Sequence, residues 1–227
     1  MLATKEADTE VICVLDGAWA DPPIASHPDV TIIYHSSSIG QRAAINEAAK
    51  LSSAKFLMKL DGHCLMDQGF DRKLIEDYKE EWLLIPTQFN LHAFNWKCLK
   101  CNREWDQGPT PTSCMIERRK DRIPNPDCDG SQFERVSVWR PRTRTESWYF
   151  DKDLVFGYWG ELGDSQQGEI INTMSLLGAC WFVDREVYWK VDGLDEEHSS
   201  WGQMGTELSA KFWTSGRAVK TTRRTWF

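Results

Sequence analysis

The chain has 227 residues, of which 41% are hydrophobic, and its formal net charge is −7. The apolar content is enough for one core of ordinary size, and the negative charge argues against a nucleic-acid partner, whose binders carry a basic face. No apolar run approaches the ~18 residues that a membrane span requires. The start of the chain lacks the features of a signal peptide, so we expect a cytoplasmic location.

Strands and helices alternate over the first ninety residues. Apolar, β-branched runs predict strands at 10–15, 30–35, 55–60 and 82–87. Between them, alanine-rich and amphipathic segments predict helices over 38–53, with Ser38 as the N-cap, and over 70–81. This alternation predicts an α/β fold with a mostly parallel sheet flanked by helices.

The segment 92–150 interrupts this pattern, because it is rich in Arg, Pro, Cys and Trp and has little periodicity. We expect an irregular insertion here. Cys98 and Cys101 form a C-x₂-C pair, and Cys114 and Cys128 follow. Four thiolates could hold a structural Zn²⁺, which would leave no open position for a substrate, but free thiols are an equal alternative.

Two predicted strands end in an aspartate followed by glycine, at Asp16 and Asp61. In open α/β sheets ligands bind beyond the carboxyl ends of the strands. His63 stands two positions after Asp61, and a carboxylate with an imidazole suits a cation such as Mn²⁺ or Mg²⁺. The alternative is a plain turn at Asp61-Gly62 that His63 caps.

The run Asp61-Gly62-His63-Cys64 after an apolar strand resembles the metal motif of the polypeptide N-acetylgalactosaminyltransferases. The whole arrangement is similar to GT-A-fold glycosyltransferases, between the family-2 enzymes and that group. The resemblance implies that Asp61 and His63 bind the metal. It also implies that Asp16, Arg42 and Asp61 bind the nucleotide sugar, which would be a UDP-sugar.

The second half of the chain resembles the acceptor segment of the same transferases. It predicts a small-residue strand and a short helix within 174–191, then an amphipathic helix that ends at Gly216. The resemblance implies a sugar and acceptor region with catalytic candidates Glu207 and Asp195. The matching positions are Gly178, Ala179, Cys180, Asp184, Arg185, Gly193, Leu194, Asp195, Trp201, Gly202 and Glu207.

The chain also departs from the family pattern. Met204-Gly205 stands where these families have the first residue of an acidic pair, so a general base there would have to be Glu207 or Asp195. The outcome at the anomeric carbon, retaining or inverting, stays open. We also expect the chain to lack the family's first strand and its C-terminal metal-ligand histidine, because Trp226 stands near that place.

These observations predict one GT-A domain in three parts: a nucleotide-sugar half at 1–91, the insertion at 92–150 and an acceptor half at 151–227. The predicted activity is transfer of a hexosyl or N-acetylhexosaminyl group from a UDP-sugar to an unidentified acceptor hydroxyl, with a divalent cation. A non-catalytic nucleotide-sugar or glycan-binding module is the alternative, and a zinc-stabilised interaction domain is a third possibility. We expect neither a nucleic-acid partner nor a membrane span, and the sequence leaves the oligomeric state open.

Overall fold

The computed structural model describes residues 1–118, 121–198 and 202–227. Five α-helices are assigned in these ranges: Gln41–Leu51 (α1), Phe70–Asp77 (α2), Gly160–Ser165 (α3), Arg185–Lys190 (α4) and Met204–Thr214 (α5). The strands are Val11–Asp16 (β1), Val30–His35 (β2), Phe56–Leu60 (β3), Trp82–Cys98 (β4), Glu104–Asp106 (β5), Met115–Arg118 (β6), Asp121–Pro124 (β7), Phe133–Thr145 (β8), Trp148–Phe150 (β9), Phe156–Tyr158 (β10), Ile170–Asn172 (β11), Cys180–Asp184 (β12) and Ala218–Trp226 (β13).

The chain forms two compact units. The larger unit contains Met1–Gln88 and Thr145–Phe227, and the smaller unit contains Phe89–Arg144. No helix in the described ranges is both long and apolar enough to cross a membrane. The functional division at 1–91, 92–150 and 151–227 stays a prediction.

The central sheet of the larger unit has the strand order β11-β13-β4-β12-β3. β13 is parallel to β4, whereas β12 is antiparallel to both β3 and β4, and β11 is antiparallel to β13. The sheet is therefore mixed, and the prediction of a mostly parallel sheet was wrong. β1 and β2 form a separate parallel pair.

The reversed direction of β12 follows from where the chain re-enters the larger unit. Thr87, near the carboxyl edge of the sheet, donates from Oγ1 to Oε1 of Glu146 at 3.4 Å, so the returning chain starts at that edge. β12 then begins beside the end of β3, where Asp61 N donates to Ala179 O at 2.9 Å. It finishes beside the start of β3, where Arg185 N donates to Lys55 O at 2.8 Å.

Apolar strands and amphipathic helices form the core of the larger unit. Leu83, Leu84 and Ile85 of β4 are fully buried, which fits a continuous apolar run in a central strand covered on both faces. Leu208 and Phe212 of α5 and Leu74 of α2 join the same cluster. The helical spacing of the apolar residues in α5 and α2 places the apolar face of each helix toward the sheet.

The smaller unit is built from β-strands. β5 pairs antiparallel with the later part of β4, β8 also pairs with β4, and β6 and β7 form an antiparallel pair. An irregular insertion was predicted for this part of the chain, and its strands were not predicted. The reason is that few of their residues are buried. The alternation of apolar and polar residues is weak in strands exposed on both faces.

Candidate functional site

Asp61 lies at the carboxyl end of β3, beside the start of β12. Its amide donates to Ala179 O at 2.9 Å, as the pairing of Leu60 with Cys180 requires. Its carboxylate accepts from Gln41 Nε2, on the first residue of α1, at 3.5 Å. Three separate segments, the end of β3, the start of β12 and the start of α1, therefore meet at Asp61.

Lys59 lies at the same place, and sequence reasoning did not single it out. Its side chain is only 7% exposed, and its ammonium group donates to both Asp61 Oδ1 and the Gly178 carbonyl. The spacing in the sequence already predicts this pairing. Residues two apart on a strand point to the same face, so Lys59 and Asp61 share one side of the β3 strand. A lysine inside the apolar run 55–60 needs such a partner.

The Asp61–Cys64 segment forms a turn, closed by the Cys64 amide donating to Asp61 O at 3.0 Å. His63 is exposed on this turn. Within the described ranges, no third carboxylate, imidazole or thiolate joins Asp61 and His63 in a metal-sized cluster. Binding of a cation by Asp61 and His63 therefore stays a prediction, in which phosphate oxygens and water would supply the remaining ligands.

Asp16, at the end of β1, holds the loop that leads into α1. Its carboxylate accepts from the Ile39 amide at 2.6 Å, the Gly40 amide at 3.0 Å and the Ser38 hydroxyl at 2.7 Å. Desolvation raises the pKa of Asp16, but these hydrogen bonds outweigh it, so its pKa lies below the ordinary value. Helix α1 begins after Gly40, so Ser38 is not its N-cap as predicted; it belongs to the loop that Asp16 holds.

Trp19 and Tyr34 form an exposed aromatic pair in the β1–β2 region. Their rings stack with centroids 4.4 Å apart, and Trp19 is 64% exposed. Tyr34 pairs with Leu15 in the β1–β2 register, one position before Asp16. A flat apolar surface therefore lies close in the chain to the Asp16 carboxylate.

Arg42 was predicted to face the nucleotide, but the structure places its side chain in the interior. It is 1% exposed, its Nε donates to Glu207 Oε2 at 2.8 Å and its Nη2 donates to Gly202 O at 2.7 Å. Arg42 therefore joins α1 to α5 and to the loop before it. A role in nucleotide binding stays a prediction.

Glu207 has both carboxylate oxygens engaged. Besides Arg42, it accepts from the Asp195 amide at 2.7 Å and lies 3.2 Å from Lys211 Nζ. Asp195 is exposed, and its own Oδ1 accepts from the Glu197 amide at 3.0 Å. The two catalytic candidates are thus neighbours, and Asp195 presents the more accessible carboxylate.

The small residues of the predicted acceptor region lie against the start of α5. A methyl group at Gly205 would come within 2.0 Å of Leu176 O, and one at Gly178 would lie 3.6 Å from Met204 Cβ. This close packing brings α5 next to the Lys59–Gly178 contact. Gly202 bonds to Arg42, and Trp201, predicted in the same region, lies outside the described residues.

The four cysteines of the predicted zinc site come together in the smaller unit. The Sγ atoms of Cys98, Cys101, Cys114 and Cys128 all lie within 4.8 Å of one another. Burial raises the pKa of the Cys98 thiol, but hydrogen bonds from the amides of Cys101 and Lys100 outweigh it and lower the pKa to about 7. The cluster is formed entirely by residues of that unit.

The chain is similar in structure to a glycosyltransferase. It superposes on the crystal structure of GalNAc-T7 with UDP, GalNAc and Mn²⁺ with a TM-score of 0.56 and 14% sequence identity, over 87% of this chain and 32% of that chain. The chain therefore spans about a third of that protein. No protein-family model matches the sequence, and no curated protein matches it. The similarity supports the GT-A-like fold predicted from the sequence.

Proposed function

We propose that this protein is a glycosyltransferase that moves a sugar from a UDP-sugar to an acceptor hydroxyl with the help of a divalent cation. The observation that carries the proposal is the meeting of Asp61, the start of α1 and the backbone of 178–179 at one edge of the sheet. The GalNAc-T7 structure contains UDP and Mn²⁺, which supports UDP as the nucleotide and Mn²⁺ as the cation.

Asp61 and His63 would hold the cation, Mn²⁺ or Mg²⁺, together with the two phosphates of the donor. A cation bound there would neutralise charge on the departing diphosphate. Lys59 brings a second positive charge to the same edge, and it orients the Asp61 carboxylate and the Gly178 carbonyl at once. The amino-terminal turn of α1, which reaches Asp61 through Gln41, offers amides to phosphate oxygens.

The nucleoside would lie over the ends of β1 and β2. Asp16 accepts hydrogen bonds from the loop before α1. It would therefore fix the conformation of that loop whether or not it contacts the nucleoside itself. The exposed Trp19–Tyr34 pair offers a face on which a base could stack. Arg42 would position Glu207 and the Gly202 loop from behind.

Asp195 is the better candidate for a general base, because Glu207 already accepts from Arg42 and from the Asp195 amide. A base must reach the acceptor hydroxyl with a free oxygen. Glu207 would then act as a positioning residue for the 193–195 turn. Gly178, Ala179, Trp201 and Gly202 would shape the region for the sugar and the acceptor.

A non-catalytic nucleotide-sugar or glycan-binding module is the second candidate. It is favoured by the engaged state of Glu207 together with Met204-Gly205 in place of an acidic residue. A nucleotide-sugar-binding module would bind UDP as the transferase does and would differ from it only in turnover, whereas a glycan-binding module would not bind UDP.

Calorimetric titration with UDP, with and without Mn²⁺, tests the site. We expect Mn²⁺ to tighten UDP binding, and Asp61→Ala and His63→Ala to remove that Mn²⁺-dependent gain. Asp67→Ala is the matched control, because Asp67 lies in the same loop but pairs with Lys73 at 2.6 Å. An unchanged Mn²⁺ effect in Asp61→Ala would overturn the site.

Release of UDP from a panel of UDP-hexoses and UDP-N-acetylhexosamines then separates the two functions. Turnover with one donor, lost in Asp61→Ala, is the result we expect from a transferase. Mn²⁺-dependent binding without any turnover over the panel would select the binding module. Proton NMR of the product would read the anomeric configuration and decide between retention and inversion.

A further inference from the structure

The sulfur atoms of the smaller unit have the spacing of a metal site rather than of disulfides. Cys98 and Cys128 have Sγ atoms 3.9 Å apart, and those of Cys101 and Cys114 are 3.6 Å apart. In a tetrahedral site with Zn–S bonds of about 2.3 Å, neighbouring sulfurs lie roughly 3.8 Å apart. A disulfide bond is only about 2.05 Å long, so the four thiols are arranged around a shared centre.

Backbone and side-chain donors already point at these sulfurs. The amides of Cys101 and Lys100 bond to the Cys98 sulfur, the Gly130 amide bonds to that of Cys128, and Asn125 Nδ2 lies 3.5 Å from Cys114 Sγ. Such donors stabilise the negative charge that thiolates bring to a metal.

The backbone around the first cysteine pair has the shape of a metal-binding turn. The Asn102 amide donates to Cys98 O at 2.9 Å, and Asn102 adopts a φ of 58°, a left-handed conformation that asparagine tolerates well. This turn directs the side chains of Cys98 and Cys101 to the same point. Gly130 leaves room for them, because a methyl group there would come within 2.5 Å of Cys98 Sγ.

The buried apolar core of the smaller unit is small among its described residues. Its buried apolar cluster consists of Trp96, Cys98, Trp105 and Cys114, so two of the four members are thiols of the proposed site. A core of this size contributes only a few kcal/mol in units below about 70 residues, and metals commonly supply the remainder.

We infer that the smaller unit, Phe89–Arg144, is a zinc module in which one Zn²⁺ bound by Cys98, Cys101, Cys114 and Cys128 organises the fold. Four thiolates close the coordination sphere, so the ion is structural and leaves no position for a substrate. The inference does not depend on the glycosyltransferase activity.

Elemental analysis of the full chain, purified under reducing conditions, tests the inference. We expect about one zinc per chain, and at least a tenfold lower content in Cys101→Ser and Cys114→Ser. Cys13→Ser and Cys64→Ser are the matched controls, since both residues lie outside the smaller unit, and they should keep the metal. Replacement of zinc by Co²⁺ should produce the intense visible bands of tetrahedral tetrathiolate coordination.

A second variant covers the case in which the serine variants fail to fold. Gly130→Ala keeps all four ligands but crowds Cys98 Sγ, so we expect it to weaken zinc binding at least tenfold in competition with a chelator. Gly160→Ala is its control, because nothing lies within 4 Å of a methyl group at that position. Zinc absent from the reduced wild-type chain after reconstitution, iron in its place, or disulfides among these cysteines would overturn the inference.

Discussion

The Lys59 ammonium group lies between a carboxylate and a carbonyl in a nearly buried place, and this arrangement affects what Asp61 can bind. One positive charge already compensates the Asp61 carboxylate. A metal cation approaching the same carboxylate therefore meets electrostatic repulsion, which is strong where water is scarce. Lys59 and the metal are expected to compete for Asp61.

Replacing Lys59 with methionine should tighten Mn²⁺ binding. Removing the positive charge of Lys59, a few ångströms from the cation, should raise the affinity for Mn²⁺ about tenfold. This corresponds to roughly 1.4 kcal/mol at the effective dielectric constant of a partly buried site. Calorimetric titration of Mn²⁺ into the UDP-saturated protein measures this. Lys55→Met, an exposed charge change on the approach to the same strand, is the control. Weaker Mn²⁺ binding in Lys59→Met would show that Lys59 assists the cation instead.

Asp16 should make the fold sensitive to acid. Its pKa is lowered in the folded state, so the unfolded chain binds the proton more readily. The stability that Asp16 contributes is thus fully present above its ordinary pKa of 3.8 and is lost as the pH falls through the lower folded value. We expect Asp16→Asn to cost stability at pH 7 and much less near pH 3, as measured by urea denaturation at both values. An equal cost at both pH values would contradict this account.

At the scale of the elements, the buried Arg42–Glu207 pair ties α1 to α5. Removing one partner of a buried pair costs about 3–5 kcal/mol, and we take the lower end of that range because Glu207 keeps Lys211 as a neighbour at 3.2 Å. We expect Arg42→Met to lower the free energy of unfolding by about that amount, and Arg42→Met with Glu207→Gln to cost less than the sum of the single changes. Urea denaturation measures all three variants.

The control for this cycle lies on the same helix. Lys50 pairs with Glu196 at 3.4 Å, and both side chains are largely exposed. We expect Lys50→Met to cost no more than about 0.5 kcal/mol. Similar losses for Arg42→Met and Lys50→Met would mean that burial of the Arg42 pair does not matter.

Helix α5 depends on a glycine at its first turn. Because a methyl group at Gly205 would collide with the Leu176 carbonyl, Gly205→Ala must displace the helix or the 176–178 segment. We expect a loss of at least about 1–3 kcal/mol, the range for overpacking a core. Gly160→Ala, in open space at the start of α3, should be neutral or slightly stabilising. Thermal unfolding compares the two, and an unaffected Gly205→Ala would contradict the packing.

For the whole molecule, the two compact units rest on different interactions. The larger has an extensive apolar cluster around its sheet, whereas the buried apolar residues described in the smaller are two tryptophans and two cysteines of the four-cysteine cluster. We expect chelation of the metal to increase hydrogen exchange in 89–144 at least tenfold, while amides of β4 between 82 and 85 and of α5 keep their protection. An equal increase in hydrogen exchange in both units would show that the metal does not stabilise the smaller unit selectively.

Much of the local structure could be predicted from sequence patterns. The apolar runs that became β1, β2 and β3, and the helices α1 and α5, were predicted within a few residues of their bounds. Helix α2 ends at Asp77, four residues before the predicted end, and Tyr78 packs against Phe56 and Phe182 instead. The threonine-rich strand β13 was not predicted, since its polar residues are buried only by its neighbours in the sheet.

The sequence by itself determined the alternation of elements, the aspartates at the ends of β1 and β3, and the four-cysteine pattern, because these follow from local periodicity and spacing. Only the tertiary structure decided the direction of β12, the contact of Lys59 with Gly178 and the burial of Arg42 against Glu207. Those features join residues more than a hundred positions apart. Such contacts depend on which edge of the sheet the chain returns to, and no short-range pattern encodes that.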